Sequence, residues 1–183
     1  MHAHELLFAA WIVTELALVV LRRSKRGTSS DRTVRVLWIA MTLGCAGAIG
    51  CSSLDAWRFP GDPRAWYWSG IGAMGVGLVV RWWAVLVLGR FFTVDVAIVS
   101  GHELVERGPY RLVRHPSYTG LVLVLLGVCG VLGSALSALV LLACALPPLA
   151  WRIAVEERTL AREFGARWTE YAARTKRLVP FVV

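Results

Sequence analysis

Two short stretches hold most of the residues in this chain whose types and spacing suit chemistry. The first, GPYRLVRHPSYTG at positions 108–120, gathers Tyr110, Arg111, Arg114, His115 and Tyr118 around two prolines. Each proline steers the residue before it, Gly108 or His115, away from helical backbone angles. The segment is therefore expected to follow a restricted, extended path that presents groups to a ligand at little ordering cost. Tyr110 and Tyr118 suit stacking on a purine or anchoring at a membrane interface. Arg111 and Arg114 suit an anion or lipid headgroups. His115 suits either catalysis or a structural role. The second stretch, WRIAVEER at 151–158, sets Arg152 and Glu156 one helical turn apart with Glu157 beside them. Spacing alone reads there as a solvated ion pair worth about 0.3 to 0.5 kcal/mol. Taken singly, none of these features names a reaction.

The elements that must position them are apolar. The chain has 183 residues, 57% of them hydrophobic and 17% charged, with a mean hydropathy of +0.60. Soluble domains carry about 25% charged residues, so this is the composition of a membrane protein. The apolar residues come in blocks rather than stripes: Leu6 to Leu21, Val36 to Leu54, Trp66 to Leu88, and Leu121 to Ala150. Blocks of roughly 20 residues match a hydrocarbon core of about 30 Å. The first block is expected to be a retained anchor rather than a cleaved signal peptide, because it lacks a basic lead and a small-residue cleavage site. Trp66, Trp68, Trp82 and Trp83 bracket the third as interfacial aromatics. The last block, about 30 residues and so roughly 45 Å as one helix, is too long for a single straight span. Gly127, Gly130, Gly133 and Ser134 near its middle predict a reversal, hence a hairpin of two helices. The fold class expected is all-α: a polytopic transmembrane helical bundle of about five spans, with a cytoplasmic C-terminal amphipathic helix. That tail helix is read from Trp151, Val155, Leu160, Phe164, Trp168 and Tyr171, which recur near helical spacing. The chain is expected to form one domain over 1–183, with a three-span part at 1–89 and a catalytic part at 90–183.

Orientation follows from Arg22, Arg23, Lys25, Arg26, Arg32 and Arg35 between the first two blocks, against Arg58 and Arg64 in the next connection. The first loop is therefore expected in the cytoplasm, and counting crossings brings residues 90–118 and the tail from Trp151 to that same side. The net charge of +8 fits attraction to anionic lipid. The basic residues flank spans rather than forming a patch, which argues against nucleic acid. Cys45, Cys51, Cys129 and Cys144 lie in apolar blocks without a CxxC pair, and packing is their expected role, with no metal site. Glu15 and Arg81 would be costly facing lipid, so they are expected to face the bundle or snorkel.

Taken together, GHELVERGPYRLVRHPSYTG, the hairpin after it, and EERTLAREFGARWTEYAARTKRLVP resemble the C-terminal catalytic region of the isoprenylcysteine carboxyl methyltransferase family, with a more distant likeness to phospholipid N-methyltransferases. The resemblance covers roughly Phe91 to Pro180. It implies an integral membrane enzyme of helices, using S-adenosylmethionine. It further implies cofactor contacts at His102, Glu103, Leu104 and Val105, at Tyr110, at His115, Pro116, Ser117 and Tyr118, and at Glu156 and Glu157. Arg152 matches the arginine that holds the substrate carboxylate, and Arg152, Tyr118 and Arg114 are the residues expected to carry catalysis. Where the family often has an acidic run before the Glu pair, this chain has Ile153, Ala154 and Val155.

On that reading the methyl moves by in-line displacement from a sulfonium, so alignment is the main demand and no metal is needed. A carboxylate acceptor is already ionised at neutral pH and needs no general base, and a guanidinium can grip it with two hydrogen bonds. The expected partners are the bilayer and a lipophilic or prenylated substrate entering between helices, with the site facing the cytoplasm of a cell membrane or endoplasmic reticulum. An amino-headgroup lipid, a quinone precursor and a small hydrophobic carboxylate are other acceptors compatible with apolar walls. Two rival functions are a sterol-type membrane reductase using a nicotinamide cofactor, and a non-catalytic partner protein that packs through the small residues of GIGAMGVG.

Overall fold

The computed structural model describes residues 3–21, 30–54, 57–92 and 103–179, whose backbone is largely helical. Among the described residues six α-helices run in order: α1 Ala3–Leu21, α2 Ser30–Cys51, α3 Pro63–Leu88, α4 Pro116–Leu132, α5 Ala135–Phe164 and α6 Ala166–Arg174. Among the described residues there is no β-strand, only isolated bridges from Arg58 to Ser134 and from Val113 to Lys176. By length and composition, α2 from Arg32, α3 and α5 can each cross a membrane, and α4 is a shorter apolar helix. The chain is an all-α membrane protein. Its first basic cluster, Arg22 to Arg26, lies outside the described residues.

Local chemistry sets the helix ends. Asp62 caps α3 by accepting from the Arg64 N–H at 2.9 Å, and Pro63 sits in the first turn, where a missing N–H costs nothing. The expected reversal falls at Gly133 and Ser134. Gly133 takes left-handed angles (φ 61, ψ 28) to close α4, and the Ser134 hydroxyl accepts from the Ser137 N–H to open α5. The hairpin expected within Leu121 to Ala150 is therefore present. Gly127 and Gly130 do not form its turn. They lie inside α4.

Two expectations need correction. The segment at 108–120 is not extended throughout: Gly108–Arg111 form a 3-10 turn and α4 already begins at Pro116, so Ser117 and Tyr118 are helical. Proline bars helical angles only from the residue before it, and is itself well suited to start a helix. The tail, in turn, is not a separate helix from Trp151. Helix α5 runs unbroken through Pro147 and Pro148 as far as Phe164, and Gly165 (φ 53) then divides it from α6.

Glycine determines how closely the helices pack. A Cβ built on Gly77 would stand 2.6 Å from the Gly120 carbonyl oxygen, and one on Gly127 would stand 2.6 Å from that of Gly70, so α3 and α4 meet backbone to backbone. With lipid as solvent, such close approach supplies dispersion contact where hydrophobic driving force is lacking. GIGAMGVG is thus two-faced: Gly70 and Gly77 receive α4, whereas Gly72 and Gly75 face open space. Helices α2 and α5 form the second close pair, with the Ser137 hydroxyl donating to the Ala48 carbonyl at 2.7 Å. Met74, Val124, Leu125, Leu141 and Leu149 fill the core, while Leu43, Val79, Leu86 and Leu139 are exposed. The cysteines are free; Cys45 and Cys129 belong to or line the core, and Cys144 abuts Gly44.

Both ends of the bundle are closed by polar segments. At one, the Phe59 N–H donates to the Gly133 carbonyl at 2.9 Å, and Arg58 donates to the Leu132 carbonyl at 3.3 Å, answering carbonyls left open at the end of α4. At the other, the Arg114 N–H donates to the Lys176 carbonyl at 2.7 Å and the His115 N–H to the Arg177 carbonyl at 3.0 Å. The chain after α6 is thereby strapped across the start of α4, at the end where both chemistry-bearing stretches lie.

Candidate functional site

The site is built where the first turn of α4 meets the polar extension of α5. Arg152 and Glu156 are one turn apart on α5, as their spacing requires, and both reach Tyr118 of α4. The Arg152 Nε–H donates to the Tyr118 hydroxyl at 2.7 Å, and that hydroxyl donates to Glu156 Oε2 at 2.7 Å. Both lengths are those of charge-assisted hydrogen bonds. Arg152 is buried, and a second guanidinium nitrogen donates to the Thr33 hydroxyl of α2 at 3.2 Å. The arginine is therefore held in one orientation by two helices besides its own.

His115, the residue capping α4, lies between the two carboxylates. Its Nδ1 is 3.9 Å from Glu156 Oε1, its Nε2 is 3.3 Å from Glu157 Oε1, and its ring stacks on that of Tyr118 with centroids 5.7 Å apart. The two glutamates differ in their surroundings. The Glu157 side chain is 15% exposed and receives Arg114 at 3.1 Å and Arg177 at 3.0 Å as well as His115. The Glu156 side chain is 30% exposed. Glu156 is the more exposed carboxylate, and Glu157 is the one that ties the tail to α4.

Arg114 completes that tie. It donates to the Ala172 carbonyl at 2.8 Å and also to the Thr175 carbonyl, satisfying groups at the C-terminal end of α6. Tyr110 is buried beneath the same tail: its hydroxyl lies 3.4 Å from the Ala84 carbonyl, and its own carbonyl accepts from the Tyr171 hydroxyl at 2.8 Å. Burial pushes the Tyr110 phenol well above its ordinary pKa of 10 and that of Tyr171 up to about 12. Leu104 is buried against Trp168 and Tyr171, Val105 is half-buried and Glu103 is exposed. Pro116 and Ser117 are buried in the first turn of α4, where Ser117 accepts from Arg81. His102 lies outside the described residues.

Several contributors are not visible from local pattern. Thr33 and Arg177 are ordinary residues in their own segments. Glu15 and Arg81 are different, because both are charges inside apolar blocks. They form a buried ion pair, with Arg81 donating to Glu15 Oε2 at 2.6 Å. A lone acid in one span and a lone base in another is the signal that would have paired them.

The chain is similar to known proteins. The profile of the isoprenylcysteine carboxyl methyltransferase (ICMT) family matches residues 70–162, which take in α4, both site stretches and most of α3 and α5. The chain is 34% identical over 128 residues to protein-S-isoprenylcysteine O-methyltransferase B of Arabidopsis thaliana, an alignment covering 68% of this chain and 65% of that one. It is 33% identical over 132 residues to a probable protein-S-isoprenylcysteine O-methyltransferase of Oryza sativa, covering 70% and 69%. Among solved structures, a eukaryotic intramembrane Ras methyltransferase superposes with a TM-score of 0.62 at 23% identity, over 96% of this chain and 64% of its own. The chain thus spans about two thirds of the length of these proteins. With the family profile matching half of the chain and a relative 33% identical across 70% of it, the chain belongs to the isoprenylcysteine carboxyl methyltransferase family.

Proposed function

We propose that this protein is a membrane methyltransferase that uses S-adenosylmethionine to esterify the carboxylate of an isoprenylated cysteine at the cytoplasmic face of its membrane. The observation that carries this reading is the Tyr118 hydroxyl, bonded at once to Arg152 and Glu156. A guanidinium suited to an anion and a carboxylate suited to a cation thus stand side by side, which supports a reaction that joins a carboxylate to a sulfonium methyl group. Family membership favours methyl transfer over the reductase and the non-catalytic readings.

The donor set fits the cofactor. S-adenosylmethionine presents a positive sulfur, an ammonium and a ribose diol, and Glu156 is a carboxylate that is held in place yet open to solvent. Glu156, with His115 behind it and Glu103, Leu104 and Val105 on the segment before the 3-10 turn, would hold that molecule. When bound, it supplies an electrophilic methyl group. Arg152, its guanidinium plane set by Tyr118 and Thr33, grips the acceptor carboxylate and fixes the direction of its lone pairs. No residue needs to remove a proton, because a carboxylate is ionised at neutral pH. Tyr118 packs on the apolar core that includes Leu149 and Ile153, so the reacting groups sit where water thins out. Neutralising charge is favoured there. Tyr118 is placed to hold Arg152 and Glu156 rather than to stack on a base, because His115 occupies one face of its ring.

Topology supports the orientation. The connection between α2 and α3 lies against the α4–α5 turn, so both belong to one membrane face, and the site lies at the other end. The start of α2, with Arg32 and Arg35 on either side of Thr33, lies at the site's end, the face that the positive-inside bias assigns to the cytoplasm.

Calorimetry in detergent tests the reading. The intact protein should bind S-adenosylmethionine, with affinity at least tenfold weaker in Glu156→Gln. A folded protein that binds none would overturn it.

A further inference from the structure

The buried ion pair between Glu15 and Arg81 takes no part in the reaction described above, although both residues are deep in the bundle, 5% and 8% exposed. A buried ion pair is weak grounds for stability, because apolar residues of similar volume often hold a fold as well or better. Its geometry points to another use. While one Arg81 nitrogen donates to Glu15, another donates to both the Ser117 carbonyl at 3.1 Å and the Ser117 hydroxyl at 3.0 Å. Ser117 is the second residue of α4, flanked by Pro116 and Tyr118, and one residue removed from His115. Gly120 lets the clamp close: a Cβ there would stand 2.7 Å from the Arg81 backbone nitrogen.

We infer that Glu15 and Arg81 are positioning residues, a charged clamp from α1 through α3 that fixes the first turn of α4 and thereby the Tyr118 hydroxyl between Arg152 and Glu156. Glu15 aims the guanidinium, and the planar fork of Arg81 spans two acceptors that a lysine cannot reach together. The N-terminal helix thus acts on the site through the Glu15 side chain. The inference rests on the proposed methyl transfer only for its kinetic readout.

The test uses full-length Arg81→Lys, which keeps the charge pair, and the neutral double variant Glu15→Gln with Arg81→Met, which leaves no buried charge unpaired. Hydrogen exchange is followed at the Tyr118 and Thr119 amides, both of which donate to the His115 carbonyl at 3.0 Å. In both variants exchange at these amides should quicken at least tenfold, with kcat down at least tenfold and the melting temperature within a few degrees of the parent. Ser117→Ala, which removes one of the two acceptors, should give a smaller change in the same direction. Unaltered exchange in folded Arg81→Lys overturns the clamp. So does a loss of activity that merely follows the folded fraction. If the parent protein fails to methylate, the functional reading falls instead, and exchange at Tyr118 and Thr119 still decides the clamp.

Discussion

The Tyr118 hydroxyl donates to Glu156 Oε2 at 2.7 Å while accepting from Arg152 at the same distance, so one phenol from α4 fixes two opposite charges on α5. Removing it separates geometry from fold. Tyr118→Phe keeps the ring and its packing, and the loss of hydrogen bonds to charged groups should cost about 2 to 3 kcal/mol at most. Transfer should suffer more visibly, with kcat/KM lower by about tenfold to a hundredfold, equivalent to about 1.4 to 2.7 kcal/mol of transition-state stabilisation. Steady-state kinetics beside a melting curve checks both. Unchanged kcat/KM would show that Arg152 and Glu156 need no bridge.

The tail clasp gives a second expectation. Arg114 serves Glu157 and two carbonyls near the end of α6. Arg114→Ala leaves those acceptors short of a cation and should destabilise docking of the tail by about 2 to 4 kcal/mol. Limited proteolysis should then cut near Arg174 in the variant before the membrane core is touched. Equal resistance in parent and variant would mean that the strap between 113–115 and 176–177 suffices.

The two faces of GIGAMGVG make opposite forecasts. Gly77→Ala thrusts a methyl against the Gly120 carbonyl, with backbone on both sides, and should cost at least about 1 to 3 kcal/mol as an overpacking change. Gly72→Ala meets nothing, and should be neutral or stabilise by about 0.5 to 1 kcal/mol through helix propensity. Melting temperatures in one detergent compare them directly.

Alkaline pH should loosen the tail. Burial first of all raises the Tyr171 phenol from its ordinary 10 to about 12. Between those values the unfolded chain has released a proton that the folded chain still holds, so stability is full below pH 10 and falls as pH rises toward 12. Trp168, whose ring centroid is 5.7 Å from that of Tyr171, reports the change by fluorescence. Tyr171→Phe should flatten the profile over that window.

Local pattern made much of this legible. The reversal at Gly133 and Ser134 was marked by residues that can adopt or cap it, and the shared face of Arg152 and Glu156 by helical spacing. Crossing parity brought the two motifs to one end. What local pattern could not supply was partnership across distance. Thr33 meets Arg152 from another helix, and Arg177 reaches Glu157 only because the chain turns back after α6. Nor does composition show that α5 continues past Pro147 and Pro148, since tertiary packing overrides proline's local preference there.

The most direct test of the account supplies methyl-labelled S-adenosylmethionine and a farnesylated cysteine with a free carboxylate to the protein in detergent, and measures label released as methanol by base. The account predicts base-labile label that depends on the intact protein and falls at least tenfold in both Glu156→Gln and Arg152→Ala. Label in a base-stable product, or equal ester formation by both variants, would contradict it.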